Sequence, residues 1–164
     1  MADTEHFKGV KQVMENLSKE MGKLNGESTI QGMIRFAIEV RQTMDKQEPK
    51  VPVGKTGNLR ASWFTVTSQG TGADVGKPRF KGKNASKEGS RHSEVKAASK
   101  SELNPKKPGL IMGFTASYAG YVHEDRRTGL KYKRPGAGAK FFESAVKNNM
   151  AKLMKILAEN LKID

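Results

Sequence analysis

The sequence predicts an α+β fold: a helical hairpin and a long C-terminal helix packed on a small, mainly antiparallel sheet, with a long basic loop. Apolar residues recur at three- and four-residue steps near both ends of the chain, which is the spacing of helices with one buried face. Between these regions, short runs of β-branched, aromatic and aliphatic residues stand between turn residues, as strands do. A length of 164 residues predicts a single domain.

Two helices are predicted in the N-terminal part of the chain. The first covers about residues 5–24 and is stopped by Gly26. The second covers about residues 29–47 and has a broad apolar face, whereas Arg41 and Asp45 fall mostly on the other side and are interpreted as part of a solvated face. Because the connecting loop is short, the two helices should form an antiparallel hairpin.

The segment Val51–Thr67 is predicted to connect the helical hairpin to the sheet. Leu59 and Trp63 are four residues apart, so one short helical turn places them on the same face. Alternation between β-branched or aromatic residues and polar ones then predicts a strand that begins at Phe64, and the apolar run Leu110–Phe114 is predicted to pair with it. The strands are expected within about residues 62–76, which include Ala73–Val75, and 109–115.

Two more helical segments are predicted after the second strand. Tyr118, Tyr121 and Val122 have helical spacing over one or two turns. The last helix covers about residues 139–161, where apolar residues again recur at three- and four-residue steps, and Pro135 precedes it.

The stretch from Lys77 to Lys107 carries ten Lys or Arg residues and three Glu, a net +7 of the chain's total +13. Its apolar residues are too few to offset the entropy of ordering, so we expect a long mobile loop, called here the basic arm, over about residues 77–108. Removal of residues 83–103 should therefore leave a folded protein. The candidate contact residues of the arm are Lys77, Arg79, Lys81, Lys83, Lys87, Arg91, Lys106 and Lys107.

Three interpretations of the basic arm stay open: a solvated loop, a segment that contacts DNA phosphates, and a segment that lies on an acidic neighbouring subunit. Phe80 is the only aromatic residue in the arm, so platforms for base stacking are missing. Any nucleic-acid contact would be made to backbone phosphates and would weaken steeply with salt.

The sequence does not support an enzyme, a metal-binding protein or a membrane protein. Val53–Thr56 resembles the end of a phosphate-binding loop, but the glycine that this loop requires is replaced by Pro49. His6, His92 and His123 lack a second ligand at metal spacing, and Cys is absent. No run approaches the roughly 20 apolar residues of a membrane span. We therefore predict no catalytic residue, cofactor or metal, and no membrane partner.

Three short blocks carry a resemblance to a known family. They read P-V-G-K-T-G-N-L-R-A-S-W (Pro52–Trp63), Y-A-G-Y-V-H-E (Tyr118–Glu124) and R-P-G-A-G-A-K-F-F-E-S-A (Arg134–Ala145). In this order they resemble the neck or tail-completion family of tailed bacteriophages, whose pattern is P-V-D-T-G-x-L-R-x-S, then Y-A-x-Y-V-E-x-G, then a Pro-Phe-hydrophobic start to the last helix. The chain departs from this pattern at Gly54–Lys55, at His123–Asp125 and in the basic insert.

The resemblance implies a virion structural protein that is made in the host cytoplasm. It would form a homo-oligomeric ring at the head–tail junction, as a hexamer or alternatively a dodecamer, and surround the DNA channel. Its partners would be other copies of itself, neighbouring neck, portal-side and tail proteins, and channel DNA. A tail-terminator or head-closure protein, and a cytoplasmic nucleic-acid-binding protein without sequence specificity, remain alternatives. The residues implied in subunit or partner contacts are Arg60, Trp63, Tyr118, Tyr121, His123 and Arg134, although core packing is the favoured interpretation of Trp63.

Overall fold

A computed structural model describes residues 26–70, 78–125 and 132–161. These ranges contain six helices and one two-stranded sheet, which confirms the predicted α+β class. The elements are α1 Gly26–Lys46, α2 Asn58–Ala61, β1 Trp63–Thr67, α3 Ala85–Glu102, β2 Leu110–Phe114, α4 Ala119–Glu124, α5 Phe141–Lys147 and α6 Met150–Leu161. The predicted helix at 5–24, the strand at Ala73–Val75 and the candidate contact Lys77 lie outside the described residues, so the helical hairpin stays a prediction.

The two strands pair as the sequence predicts. β1 and β2 are antiparallel, with Trp63 opposite Phe114 and Thr67 opposite Leu110. In β1 every residue from Phe64 to Thr67 is buried, including the threonines on the second face. A strand that is buried on both faces must be covered on both sides, and α3 supplies one of these covers.

The core lies mainly between α1 and α6. The buried residues of α1 recur at helical spacing, and they pack with Leu153 and Leu157 of α6, which are 0% and 2% exposed. Gly32 permits the close approach of the two helices, because a Cβ atom there would lie 3.1 Å from the Cβ of Asn160. Each large apolar side chain buried in this way contributes about 1.5–3 kcal/mol. The buried apolar residues of α1 are Ile30, Met33, Phe36, Ala37, Val40 and Met44.

The prediction of a mobile loop is wrong for the greater part of the basic arm, because residues 85–102 form the regular helix α3. The buried and half-buried positions of α3 recur at helical spacing, but they are occupied largely by polar and small residues. Glu88 and His92 are the buried ones. His92 Nδ1 is 2.9 Å from Thr115 Oγ1, and Arg91 Nε donates to the Thr115 carbonyl at 3.0 Å. Phe64 packs on the His92 ring. Hydrogen bonds and ring contacts hold α3 to the sheet. Because these contacts are mostly polar, the spacing of apolar residues in the sequence does not indicate them.

The helix predicted over 139–161 is observed as two consecutive helices, α5 and α6. They are separated at Asn148 and Asn149, and the Asn149 amide donates to the Ala145 carbonyl and to Gln47 Oε1, both at 3.0 Å. Asparagine side chains readily hydrogen-bond to nearby groups and therefore weaken a helix at this position. The break allows α6 to follow α1 while α5 packs on the sheet.

Candidate partner-binding surface

The three blocks are distant in the chain but are joined by direct contacts in the fold. Arg60 of the first block and Arg134 of the third both bind Asp45, which lies on α1. Trp63 of the first block packs edge-to-face on Phe142 of the third, with ring centroids 5.8 Å apart, and the Lys140 N–H of the third block donates to the His123 carbonyl of the second at 2.7 Å. These blocks therefore form one connected unit, and its surface is the candidate partner-binding surface.

An arginine cluster, consisting of Arg41, Arg60 and Arg134 around Asp45, is the most strongly charged part of this surface. Arg60 binds the carboxylate through two atoms, with Nε to Oδ1 at 3.0 Å and Nη2 to Oδ2 at 2.9 Å. Arg134 Nη1 donates to Asp45 Oδ1 at 3.0 Å and its Nη2 donates to the Asp45 carbonyl at 2.5 Å. Arg41 Nη1 lies 3.2 Å from Oδ2. Three cations thus share one carboxylate.

Local backbone contacts bring Arg134 to this position. The N–H of Lys50 donates to the Gly136 carbonyl at 2.8 Å, and the N–H of Gly138 donates to the Lys50 carbonyl at 3.2 Å. Gly136 has a φ of +74° and the side chain of Glu48 lies where a Cβ atom would project, so glycine is required there. The segment that follows Arg134 is therefore held against the chain that leaves α1.

The electrostatics of the cluster are set by burial and by the shared carboxylate. Burial alone would raise the pKa of Asp45, but hydrogen bonds from Arg60 and Arg134 and the charge of Arg41 outweigh it and lower that pKa. Burial lowers the pKa of Arg41, against the opposing charge of Asp45. Although Arg41 Nη1 is within ion-pair distance of Asp45, this buried atom makes no hydrogen bond within the described residues. The cluster retains an excess of positive charge.

Two tyrosines of the second block are exposed on the same connected unit. Tyr118 and Tyr121 are 39% and 65% exposed. The backbone of Leu59, the residue before Arg60, lies close enough to the Tyr118 hydroxyl to lower its pKa slightly. Burial and the nearby carboxylate of Glu88 raise the pKa of Tyr118, so it stays a neutral hydrogen-bonding group at physiological pH. An exposed, neutral aromatic group therefore lies near the backbone of the first block.

His123 connects the second block to the third. Its Nε2 accepts the backbone N–H of Glu143 at 3.3 Å, which assigns the proton to Nδ1, and Nδ1 is 2.8 Å from Glu124 Oε1. Its backbone carbonyl accepts the N–H of Lys140 at 2.7 Å, and its ring packs on Phe141 with a centroid separation of 5.0 Å. These contacts give His123 a structural role at the junction of α4 and α5, and its predicted role in partner contact stays a prediction.

Trp63 contributes to the core and is still partly exposed. Its ring makes edge-to-face contacts with Phe114 and Phe142, at centroid distances of 5.2 and 5.8 Å. This geometry is typical of favourable aromatic packing. The structure therefore supports the core interpretation, and the partial exposure leaves a further contact open.

The predicted basic residues that the structure describes do not form one site. Lys81 is held near the first block, because the Asn58 side chain donates to its carbonyl and accepts from its N–H, both at 2.9 Å. Lys106 and Lys107 follow the other end of α3, an 18-residue helix of about 27 Å. All of the described candidates are exposed: Arg79, Lys81, Lys83, Lys87, Arg91, Lys106 and Lys107.

Among the described residues, no group of three or more His, Asp or Glu side chains is arranged to hold a metal ion. None of the described helices is both long enough and apolar enough to cross a bilayer. Comparison with known proteins yields no family model, no curated protein and no solved structure that matches the chain.

Sequence reasoning missed two members of the arginine cluster, Arg41 and Asp45. Their assignment to a solvated face is wrong, because their side chains are only 20% and 18% exposed. The available signal was their i,i+4 spacing, which is typical of an ion pair on one helix face. Nothing in that local pattern indicates that Arg60 and Arg134 will meet the same carboxylate.

Proposed function

We propose that this chain is a structural protein of a tailed-phage virion that forms a homo-oligomeric ring, most simply a hexamer, at the head–tail junction. The ring would connect the head to the tail and surround the DNA channel. The observation that carries the proposal is the direct bonding between the three blocks on which the family resemblance depends. Residues that match a family pattern in order, and then meet in one folded unit, support a shared structural role better than isolated short matches do.

The surface of this unit has the composition of a protein interface. Arg60, Tyr118 and Tyr121 are exposed there, and Arg and Tyr are enriched at interfaces and at their energetic hot spots. A ring of identical subunits requires head-to-tail contacts, in which this surface on one copy meets a different surface on the next. Neck, portal-side and tail proteins would bind the two open faces of the ring.

The oligomeric state of the purified full chain tests this proposal. We expect light scattering to give a mass several times the 18.0 kDa of the chain, and negative-stain images to show closed rings. Tyr121→Ala should lower the fraction of rings because it removes an exposed aromatic contact. Lys155→Ala, at an exposed position on α6, is the control and should assemble normally. A chain that stays monomeric throughout the micromolar range would contradict the proposal.

A second candidate function, binding of nucleic acid through phosphates, is favoured by the net charge of +13 and by the exposed lysines and arginines around α3. This function predicts that the monomer or dimer shifts duplex DNA of any sequence, with an affinity that falls steeply between 50 and 200 mM salt. Ring formation together with weak DNA binding would favour the virion proposal instead.

A further inference from the structure

We propose that the arginine cluster is a binding site for a carboxylate side chain, supplied by the neighbouring copy of this chain in the ring. The inference rests on the proposed function for the identity of the partner. The site itself follows from the charges, donors and burial of residues in a single copy.

The cluster contains more positive charge and more donors than Asp45 can satisfy. One carboxylate faces three guanidinium groups, and its two oxygens already accept from Arg60 and Arg134. Arg41 Nη1 is buried without a hydrogen bond in the described part of the chain. Three positive charges around one negative charge in partly buried surroundings repel one another, and a second anion beside them would offset that repulsion. The cluster therefore favours one additional oxyanion.

The geometry of Arg60 makes this anion accessible from solvent. Its Nε and Nη2 are used by Asp45, its side chain is 51% exposed, and its outer nitrogen, Nη1, makes no hydrogen bond among the described residues. Guanidinium groups bind carboxylates and phosphates through planar, paired hydrogen bonds. An approaching carboxylate can accept from this outer edge while it lies close to the charge of Arg41.

A protein carboxylate fits this site better than a DNA phosphate does. The side chains of Arg41 and Arg134 are only 20% and 23% exposed, so a single narrow side chain can reach them more easily than a duplex backbone can. The exposed rings of Tyr118 and Tyr121 lie on the same connected unit, and aromatic neighbours are typical of protein interfaces. Asp45 would also repel a second, highly charged polyanion.

The neighbouring copy offers suitable carboxylates. Each copy carries +13, so identical subunits repel one another unless opposite charges meet locally at the interface. Three glutamates on the helices are exposed and have no ion-pair partner among the described residues, which makes them available for such a contact. They are Glu27 on α1 and Glu94 and Glu102 on α3.

The test measures ring assembly by sedimentation for Arg60→Gln and for Arg35→Gln. Both variants remove one exposed positive charge from the full chain, but Arg35 lies outside the cluster. We expect Arg60→Gln to stay folded and to weaken assembly at least tenfold, and Arg35→Gln to assemble like the unmodified chain. Equal assembly of the two variants would overturn the inference while leaving the ring proposal intact. A wild-type chain that forms no ring would overturn the ring proposal itself, and the partner assignment with it.

A double-mutant cycle identifies the carboxylate. Glu27→Gln, Glu94→Gln and Glu102→Gln are each combined with Arg60→Gln. For one of the three glutamates, we expect the double variant to assemble as well as whichever of its two single variants assembles less well, because both changes break the same contact. Additive losses in all three cycles would overturn the inference. If Arg60→Gln instead lowers DNA affinity and its salt dependence without affecting assembly, the ligand is phosphate and the proposal is wrong.

Discussion

Several single polar residues that are buried in this protein connect segments that are distant in the chain. Asn58 is only 6% exposed and bonds to both backbone groups of Lys81, so one amide connects the first block to the segment that precedes α3. Thr115 has a comparable role, because its hydroxyl and its carbonyl bind His92 and Arg91. These contacts join segments more than twenty residues apart, and a local pattern cannot reveal them.

His92 makes the stability of the fold depend on pH. It is 5% exposed, and burial lowers its pKa below the ordinary value of about 6.5. Below this value the unfolded chain binds the proton while the folded protein does not. The free energy of unfolding should therefore fall as the pH drops from about 6.5 to the lowered pKa of the folded state, and then level off.

Urea titrations between pH 7.5 and 5 test this expectation. His92→Gln should remove this part of the pH dependence, because the titrating group is gone. Ser90→Gln, at an exposed position on the same helix, removes no titrating group and is the control that should retain the wild-type profile. Ordinary carboxylates titrate mainly below about pH 4.5, so they contribute little in this interval. An unchanged profile in the His92 variant would show that another group is responsible.

At the scale of elements, α3 has the largest effect on the interpretation of the chain. As a mobile arm, residues 83–103 could be removed without loss of folding. As a helix that covers β1 and buries Glu88 and His92, they belong to the folded unit. Their removal should then destabilise the protein, because the face of β1 that α3 covers would become exposed to solvent.

Two proline substitutions in α3 separate these interpretations. Ser93→Pro lies in the middle of the helix, where proline breaks a hydrogen bond and clashes with the preceding turn, and it should cost about 3 kcal/mol or more of unfolding free energy. Ser86→Pro is in the first turn, where proline is tolerated, and should cost much less. Equal and small losses in urea denaturation would mean that α3 contributes little to stability.

In the molecule as a whole, the contact between α1 and α6 forms the larger part of the core, and the arginine cluster of the candidate partner-binding surface lies at one end of α1. Asp45 lies near the C-terminal end of that helix. The position of the arginine cluster thus depends on the same helix that carries the core. A change that loosens the core should therefore disturb the partner-binding surface as well.

Leu153→Ala tests how strongly the core holds the molecule together. Leu153 is fully buried, so its truncation should cost about 2–5 kcal/mol of unfolding free energy through lost burial and a cavity. Met154→Ala, the neighbouring position, is the control: Met154 is 36% exposed, and the loss should be smaller. Calorimetry that finds equal losses would contradict the observed orientation of α6.

The α+β class, the helix α1, the pairing of β1 with β2 and the short helix after β2 were all readable from the sequence, because each depends on residue spacing within one segment or on matched strand lengths. The three blocks were also recognisable as local runs. These features are the ones that local physical chemistry specifies, since helix period, strand alternation and turn residues act over a few neighbouring positions.

The helix α3, the break before α6 and the arginine cluster depend on the tertiary structure. The face of α3 that packs on the sheet is polar, so its stability comes from Thr115 and Phe64, which are distant in sequence. The helix pattern alone predicts that Asp45 is solvated. In the fold, Arg60 and Arg134 from two other segments form ion pairs with it. A hydrogen bond or an ion pair acts between particular atoms, and only the folded chain decides which atoms meet.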